Sequence, residues 1–278
     1  MADMNLFSSP NSPVDLPVLR PKWSVVDANW HPHTTQKRLS WLELWKSKVA
    51  YEPVSVPKAR NVFQPPGPGL WQLGVFPKHN IHLATPNQHE LSAMHASAKQ
   101  HEFFESERWW QVIDSLGIPS SGARDRFVAL TSRKMTDEGI PLQTIQLLPY
   151  IPTILTKLGP DGVLLTELLL PEDPRLTDPA TAPYILSRTS NGSTEVGGVY
   201  MRLFPAVEVV EDVVSVNGVG DTFLGVLVAG LARGLKLDEN LINIAQRGAV
   251  MTLRSKEAVS PHLGKLAAEL DRLALNKV

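Results

Sequence analysis

Ser215-Val216-Asn217-Gly218-Val219-Gly220-Asp221-Thr222-Phe223 is the stretch on which the reading of this chain turns. Ahead of it, Val207, Val209, Val210, Val213 and Val214 form a β-branched run broken by Glu208, Glu211 and Asp212. Behind it, Phe223, Leu224, Leu227 and Leu231 recur at helical spacing up to Arg233-Gly234. The pattern predicts a strand-to-helix turn through two glycines. Such a turn aims several backbone N–H groups, and the positive pole of a helix, at one point where an anion can sit. Glycine there permits positive φ and lets a bulky anion approach the backbone. Asp221 in the first helical turn has two readings. It can serve as a cap or dipole partner, or it can accept a proton from a hydroxyl that attacks a phosphate held at the turn.

Composition narrows the field. The 278 residues could hold one large α/β domain or two small ones, and 43% hydrophobic content is enough for a sizeable core. A net charge of −1 argues against nucleic-acid or membrane-surface binding built on bulk electrostatics. The absence of cysteine rules out disulfides, thiolate zinc sites and cysteine nucleophiles. No apolar stretch approaches the ~20 residues of a membrane span, and the first residues lack the basic-then-apolar pattern of a signal peptide. The expectation is a soluble, cytoplasmic protein with neither nucleic acid nor membrane as partner.

Moving outward from the glycine turn, residues 1–22 are proline-rich and aperiodic, which predicts a disordered tail. Trp23–Asp27 and Lys48–Glu52 read as strands around a helix over Thr34–Lys46, a βαβ unit of a parallel sheet. Pro65–Gly69 reads as a loop and Ile81–Thr85 as a strand. Asn87 is a good N-cap, and Glu90 completes a capping box for a helix running to about Glu107. His89 and His95 lack the i, i+4 spacing of zinc ligands, and His31-Pro-His33 reads as a surface turn. In residues 101–142, Trp109, Trp110 and Ile113 suggest one helix face, and the charges beyond them suggest a solvated surface without assigned function. Ile151–Leu165 reads as two strands around a Pro-Asp-Gly turn. Pro171–Gly198 reads as a long surface loop, Gly198–Phe204 as an edge strand, and Asp238 as the cap of a helix carrying Leu241, Ile242, Ala245, Ala249 and Leu253. Leu263–Leu275 closes the chain as an amphipathic helix.

Asn217-Gly-Val-Gly-Asp221-Thr-Phe resembles the C-terminal signature of the PfkB (ribokinase-like) carbohydrate and nucleoside kinases, with Val219 in place of the usual alanine. The resemblance implies an α/β fold, a three-layer α/β/α sandwich with a mostly parallel central sheet. It also implies Asp221 as catalytic base and the amides of Gly218, Val219 and Gly220 as the anion hole for the transferring phosphoryl group. Pro86-Asn87-Gln-His-Glu90 is similar to the family's second hallmark, which places Asn87 near the nucleotide phosphates and Glu90 near Mg²⁺ through water. The Leu158-Gly159-Pro-Asp-Gly162 turn resembles the family hairpin that borders ATP. Lys157 there stands where many members carry threonine, and Gln246 lies where the family walls the adenine; the core-packing reading of Gln246 remains open beside that one.

Glu52-Pro-Val-Ser-Val-Pro-Lys58-Ala59, together with Asp27-Ala-Asn29, resembles segments of pseudouridine kinases. This implies Asp27, Asn29 and Lys58 as substrate contacts and the 5′-hydroxyl of pseudouridine as acceptor. ATP and Mg²⁺ are the implied cofactors. A monovalent cation stays open, because Ser215 stands where many members carry an aspartate.

The resemblance covers about residues 23 to 270 within the domain 23–278, and it matches only the later part of the family fold. The N-terminal strands and the lid are expected to be missing, with homodimerisation or completion by another polypeptide as consequences. Three readings follow: a pseudouridine-type kinase, a kinase of the same family for another sugar such as ribose or fructose, and a nucleotide-binding unit without turnover. Neither Gly-x-x-x-x-Gly-Lys-Ser/Thr nor Gly-x-Gly-x-x-Gly occurs, so P-loop and dinucleotide-binding readings fail on motif.

Overall fold

A computed structural model describes residues 21–65, 73–119 and 121–276. The expected tail up to residue 20, and residues 66–69 of the expected loop, lie outside the described residues.

Strand β1 (Trp23–Asp27), helix α1 (Pro32–Leu44) and strand β2 (Lys48–Glu52) form the expected βαβ unit, with β1 and β2 paired in parallel from Trp23↔Lys48 to Asp27↔Glu52. β2 shows why this segment is a strand. Val49 and Tyr51 bury on one face of the sheet and Ala50 on the other, each almost completely. A short helix α2 (Val56–Ala59) leads on to β3 (Leu83–Ala84), two residues of the five expected, parallel to β2.

Helix α3 (Gln88–Gln100) opens on the predicted capping box: the Asn87 side chain accepts from His89 N and Glu90 N, and Glu90 Oε2 accepts from Asn87 N at 2.8 Å. It ends well before Glu107, because Glu102 takes a left-handed conformation and turns the chain into a 3₁₀ segment. Four short helices follow: α4 (Glu107–Ser115), α5 (Ala123–Leu130), α6 (Arg133–Asp137) and α7 (Ile140–Leu147). This region is more than a solvated surface. Trp109, Val112, Leu116, Phe127 and Met135 are buried, whereas Trp110 stands half exposed on the opposite side from Trp109.

Strands β4 (Thr153–Lys157) and β5 (Val163–Leu169) form the predicted hairpin, and β4 lies parallel to β3. Two further strands complete the sheet, β6 (Ile185–Arg188) and β7 (Gly198–Phe204). The order is β1-β2-β3-β4-β5-β7-β6. β7 is therefore internal, not an edge, and the presumed loop over 171–198 supplies the edge strand β6. Ile185, Leu186 and Ser187 are too short a run, among prolines and threonines, to announce a strand.

The valine-rich run before the glycine turn is not a strand either. Val207, Val209, Val213 and Val214 are solvent-exposed, and the segment is pinned at its end by Val214 N and Ser215 N donating to Leu253 O. Its acidic residues explain this: Glu208 and Asp212 both pair with Arg254 on the surface.

Helix α8 (Val219–Ala232), α9 (Glu239–Leu253, capped by Asp238 as expected) and α10 (Gly264–Leu275) cover one face of the sheet. Helices α1, α3, α4 and α7 pack on the other, which gives the expected three-layer α/β/α arrangement. α8 contributes Phe223, Leu224 and Leu227 to the core, each worth on the order of 1.5–3 kcal/mol by burial. Gly230 lets α8 and α9 touch: a Cβ there would fall 2.2 Å from Leu241 Cδ1.

Candidate functional site

The carboxyl ends of the four parallel strands share one edge of the sheet, the place where open α/β sheets receive ligands. Asp27 ends β1, Glu52 ends β2, Thr85 follows β3 and Lys157 ends β4. Over this edge sits the N-terminus of α8.

Gly218 caps α8 at φ +70°, ψ +3°, with the closing loop, residues 254–263 between α9 and α10, directly behind it. A Cβ at that position would lie 1.8 Å from Ala258 O. Both the backbone angle and the contact require glycine here. The loop is tied down through Thr252, whose hydroxyl shares a 3.0 Å hydrogen bond with Thr222 Oγ1 and accepts from Ser260 N at 3.2 Å. The first helical hydrogen bond of α8 runs from Thr222 N to Gly218 O. Among the described residues, the amides of Gly218, Val219, Gly220 and Asp221 find no acceptor. Four unpaired donors at the positive end of a helix, none of them buried, are an arrangement that can accommodate an anion.

Asp221 is solvent-exposed in the first turn of α8. It lines the mouth of an open, mainly apolar groove of ≈ 290 Å³ between α8 and α10, bounded by Val226, Val259, Leu263 and Leu266. The interior placement that would disqualify it as a base is not what the structure shows.

Lys157 reaches this turn from β4. A Cβ on Gly220 would come within 2.7 Å of Lys157 Nζ and 3.5 Å of Glu52 Oε1. The ammonium is paired with Glu52 Oε1 at 2.9 Å, and Thr85 Oγ1 donates to Glu52 Oε2 at 2.5 Å. Burial pushes the Glu52 carboxyl above the usual carboxylate range, while Lys157 and Thr85 pull it back down. The sequence motifs assign Glu52 no role. Its signal was there to read: a carboxylate closing a strand whose other central residues are apolar is buried unless the strand end is frayed.

Asn87 lies beside Lys157 through an isolated parallel bridge, and Lys157 N donates to Pro86 O. The capping box therefore adjoins the α8 turn, with Glu90 buried beneath it. Among the described residues no three His, Asp or Glu side chains converge as a metal site. Glu90 is engaged instead in the capping box, where its Oε2 accepts from Asn87 N.

Asp27, Asn29 and Lys58 do meet. Asn29 N donates to Asp27 Oδ1 at 2.9 Å and Lys58 Nζ to Asn29 Oδ1 at 2.5 Å, on the exposed side of the β1–β2 edge. In the β4–β5 hairpin, Gly159 is open to solvent and unobstructed, whereas Gly162 (φ +94°) is buried against the chain after β7, where a Cβ would meet Phe204 O at 2.1 Å. Gly162 thus has a packing reason to be glycine. Gln246 is buried and donates to Pro205 O at 3.1 Å, so its amide is committed to joining α9 to the chain after β7.

No family model matches the chain. Over 226 residues, 80% of its length, it is 32% identical to a pseudouridine-metabolizing bifunctional protein of Schizosaccharomyces pombe. The chain spans 27% of that relative. Among solved structures, a probable sugar kinase of Rhizobium etli superposes with a TM-score of 0.51 at 10% identity, covering 91% of this chain and 54% of that one. Arabidopsis thaliana ribokinase, complexed with ribose and ATP, gives 0.48 at 13% identity, covering 93% and 59%. The fold is ribokinase-like, as the glycine turn suggested, and the resemblance read from the motifs is borne out by the curated relative. No described helix is long and apolar enough to cross a membrane.

Proposed function

We propose that this chain, ribokinase-like in fold and related in sequence to a pseudouridine-metabolizing protein, carries the phosphoryl-transfer site of an ATP-dependent carbohydrate or nucleoside kinase. The acceptor in this reading is the 5′-hydroxyl of pseudouridine. The single observation that carries it is the set of unpaired amides from Gly218 to Asp221, with a carboxylate in the same helical turn and an ammonium beside it.

Phosphoryl transfer asks little covalent chemistry of a protein; it asks for position and for charge compensation around the moving group. The α8 amides bind the oxygens on which negative charge develops. Lys157 adds a cation to the same pocket, and Asp221 takes the proton from the attacking hydroxyl. Asn87 and Glu90 rigidify the neighbouring helix start at the nucleotide phosphates, with Gly159 and Gly162 forming the hairpin wall and Gln246 bracing α9 behind the base. Asp27, Asn29 and Lys58 hold the acceptor at the β1–β2 edge. Mg²⁺, when carried in on the nucleotide, neutralises phosphate charge and orients the terminal group. The site works in the cytoplasm, where ATP is available.

The test is phosphoryl transfer from ATP to pseudouridine, uridine, adenosine, ribose and fructose, followed by product mass. Transfer to pseudouridine above the rest supports the reading. Transfer to a sugar alone would reassign the acceptor, and ATP binding without any product would leave a nucleotide-binding unit.

A further inference from the structure

We propose that Glu52 is a positioning residue of the anion site: its buried carboxylate aims the Lys157 ammonium at the α8 turn, where the ammonium meets a phosphate oxygen. The proposal rests on the kinase reading above and gives a role to a residue which that reading leaves unused.

The electrostatics of the turn are unbalanced without such a device. A free lysine ammonium is repelled from the positive pole of a helix and prefers water, where its flexible four-carbon stem can take it. Here it is drawn in to 18% side-chain exposure, against Gly220. What holds it is Glu52 Oε1 at 2.9 Å. Glu52 is itself fixed, because Thr85 Oγ1 occupies its other oxygen at 2.5 Å. The three residues stand at the ends of three adjacent strands, β2, β3 and β4, so the sheet register sets their spacing. An ammonium has three donors. Among the described residues Lys157 Nζ uses one, on Glu52, and makes no other hydrogen bond.

A buried ion pair adds little to net stability, since desolvation consumes most of the Coulomb gain. Thr85 and Glu52 therefore gain their significance from where they put the charge. Asp221 lies in the turn and Glu52 beside Gly220, together with four free amides, a helix pole and an ammonium. A polyphosphate oxygen completes the set: it accepts from the α8 amides and takes a remaining Lys157 donor while Glu52 keeps the first.

Binding of inorganic tripolyphosphate and of adenosine is measured by calorimetry for the native chain, Glu52→Gln, Lys157→Met and the double variant, with thermal melts alongside. Glu52→Gln is expected to weaken tripolyphosphate about tenfold or more, the loss of one charge-assisted contact, and to leave adenosine unchanged. The double variant should be no worse than Lys157→Met, because Glu52 acts through Lys157. A structural role alone would lower both ligands together with the melting temperature.

Unchanged tripolyphosphate affinity in Glu52→Gln, or strictly additive losses, overturns the proposal. If Glu52→Gln does not fold, Glu52→Asp withdraws the charge by one methylene, and the same selective loss is expected of it; unchanged affinity there overturns the proposal equally. Tripolyphosphate binding by a native chain that phosphorylates nothing removes the kinase reading and leaves this inference standing on its own arms. No binding at all by the native chain overturns both.

Discussion

Gly220→Ala separates helix stability from anion chemistry in one substitution. Gly220 is the second residue of α8 with an ordinary helical backbone, so alanine should stabilise the helix by about 0.5–1 kcal/mol. The added Cβ, however, lands 2.7 Å from Lys157 Nζ, where ordinary van der Waals contact begins at 3.4 Å, so the ammonium must retreat by about 0.7 Å. Glu52 Oε1, at 3.5 Å from the new methyl, is already at ordinary contact and stays. The flexible lysine end moves because the carboxylate and the helix backbone do not. A misplacement approaching 1 Å in a reacting assembly can cost about 10²-fold, and the expected loss in kcat/KM is roughly 10- to 100-fold. Steady-state phosphorylation and urea unfolding of the same preparation provide the comparison. The expected pair of results is an unchanged or higher unfolding midpoint with a large loss of turnover. Full activity, or activity lost only in proportion to folded protein, would refute the argument that Lys157 must occupy its present position.

Asp221→Asn should lower kcat by roughly 10²–10⁴ while leaving ATP affinity nearly unchanged, since it removes a proton acceptor from an exposed, unobstructed position; near-normal turnover would remove Asp221 as the base. Gly218→Ala combines a left-handed residue with a Cβ only 1.8 Å from Ala258 O, so denaturant unfolding should show a loss of about 2 kcal/mol or more. An unperturbed midpoint would mean that the closing loop is not packed there.

His79 and His82 give a pH prediction. Burial and Lys48 hold both near pKa 4, below the ordinary 6.5, with His82 adding to the shift of His79, and Val49 N donates to His82 Nδ1 at 3.2 Å, which requires that nitrogen unprotonated. The unfolded chain binds these protons first, so the stability is complete above pH about 6.5 and falls as pH drops toward about 4, by up to about 3 kcal/mol for each group. Glu52 and Glu167, whose carboxyls are raised by burial, work in the opposite direction over the lower part of that range. A His82→Asn chain should therefore lose less stability between pH 7 and pH 5 than the native one; identical slopes would sink the assignment.

Much of the site could be read from residues whose local chemistry is self-contained. Asn87 and Glu90 are three apart, and their capping box forms as the spacing demands. Gly218 needs a left-handed backbone in any structure that uses this turn. Lys48–Glu52 declares its strand by an unbroken apolar centre, Val49-Ala50-Tyr51, between two charged residues. The errors came where tertiary partners overrule local pattern. The valines of 207–214 looked like a strand and are exposed, because Glu208 and Asp212 are drawn to Arg254 far along the chain. Ile185–Arg188 looked like loop and is a strand, because β7 offers it an edge. For Gln246 the sequence leaves the nucleotide-wall and core-packing readings both open, since its partner, the carbonyl of Pro205, lies 41 positions away.

The sequence by itself determined the glycine turn, the helix that follows it, the capped start of α3, the β4–β5 hairpin and the α/β class. These depend on backbone propensities, caps and periodicities that act over a few residues. Only the tertiary structure decided that Glu52, Thr85 and Lys157, the first and last 105 positions apart, converge beneath Gly220. That convergence is set by which strands lie side by side and in what register, and no window of sequence contains it.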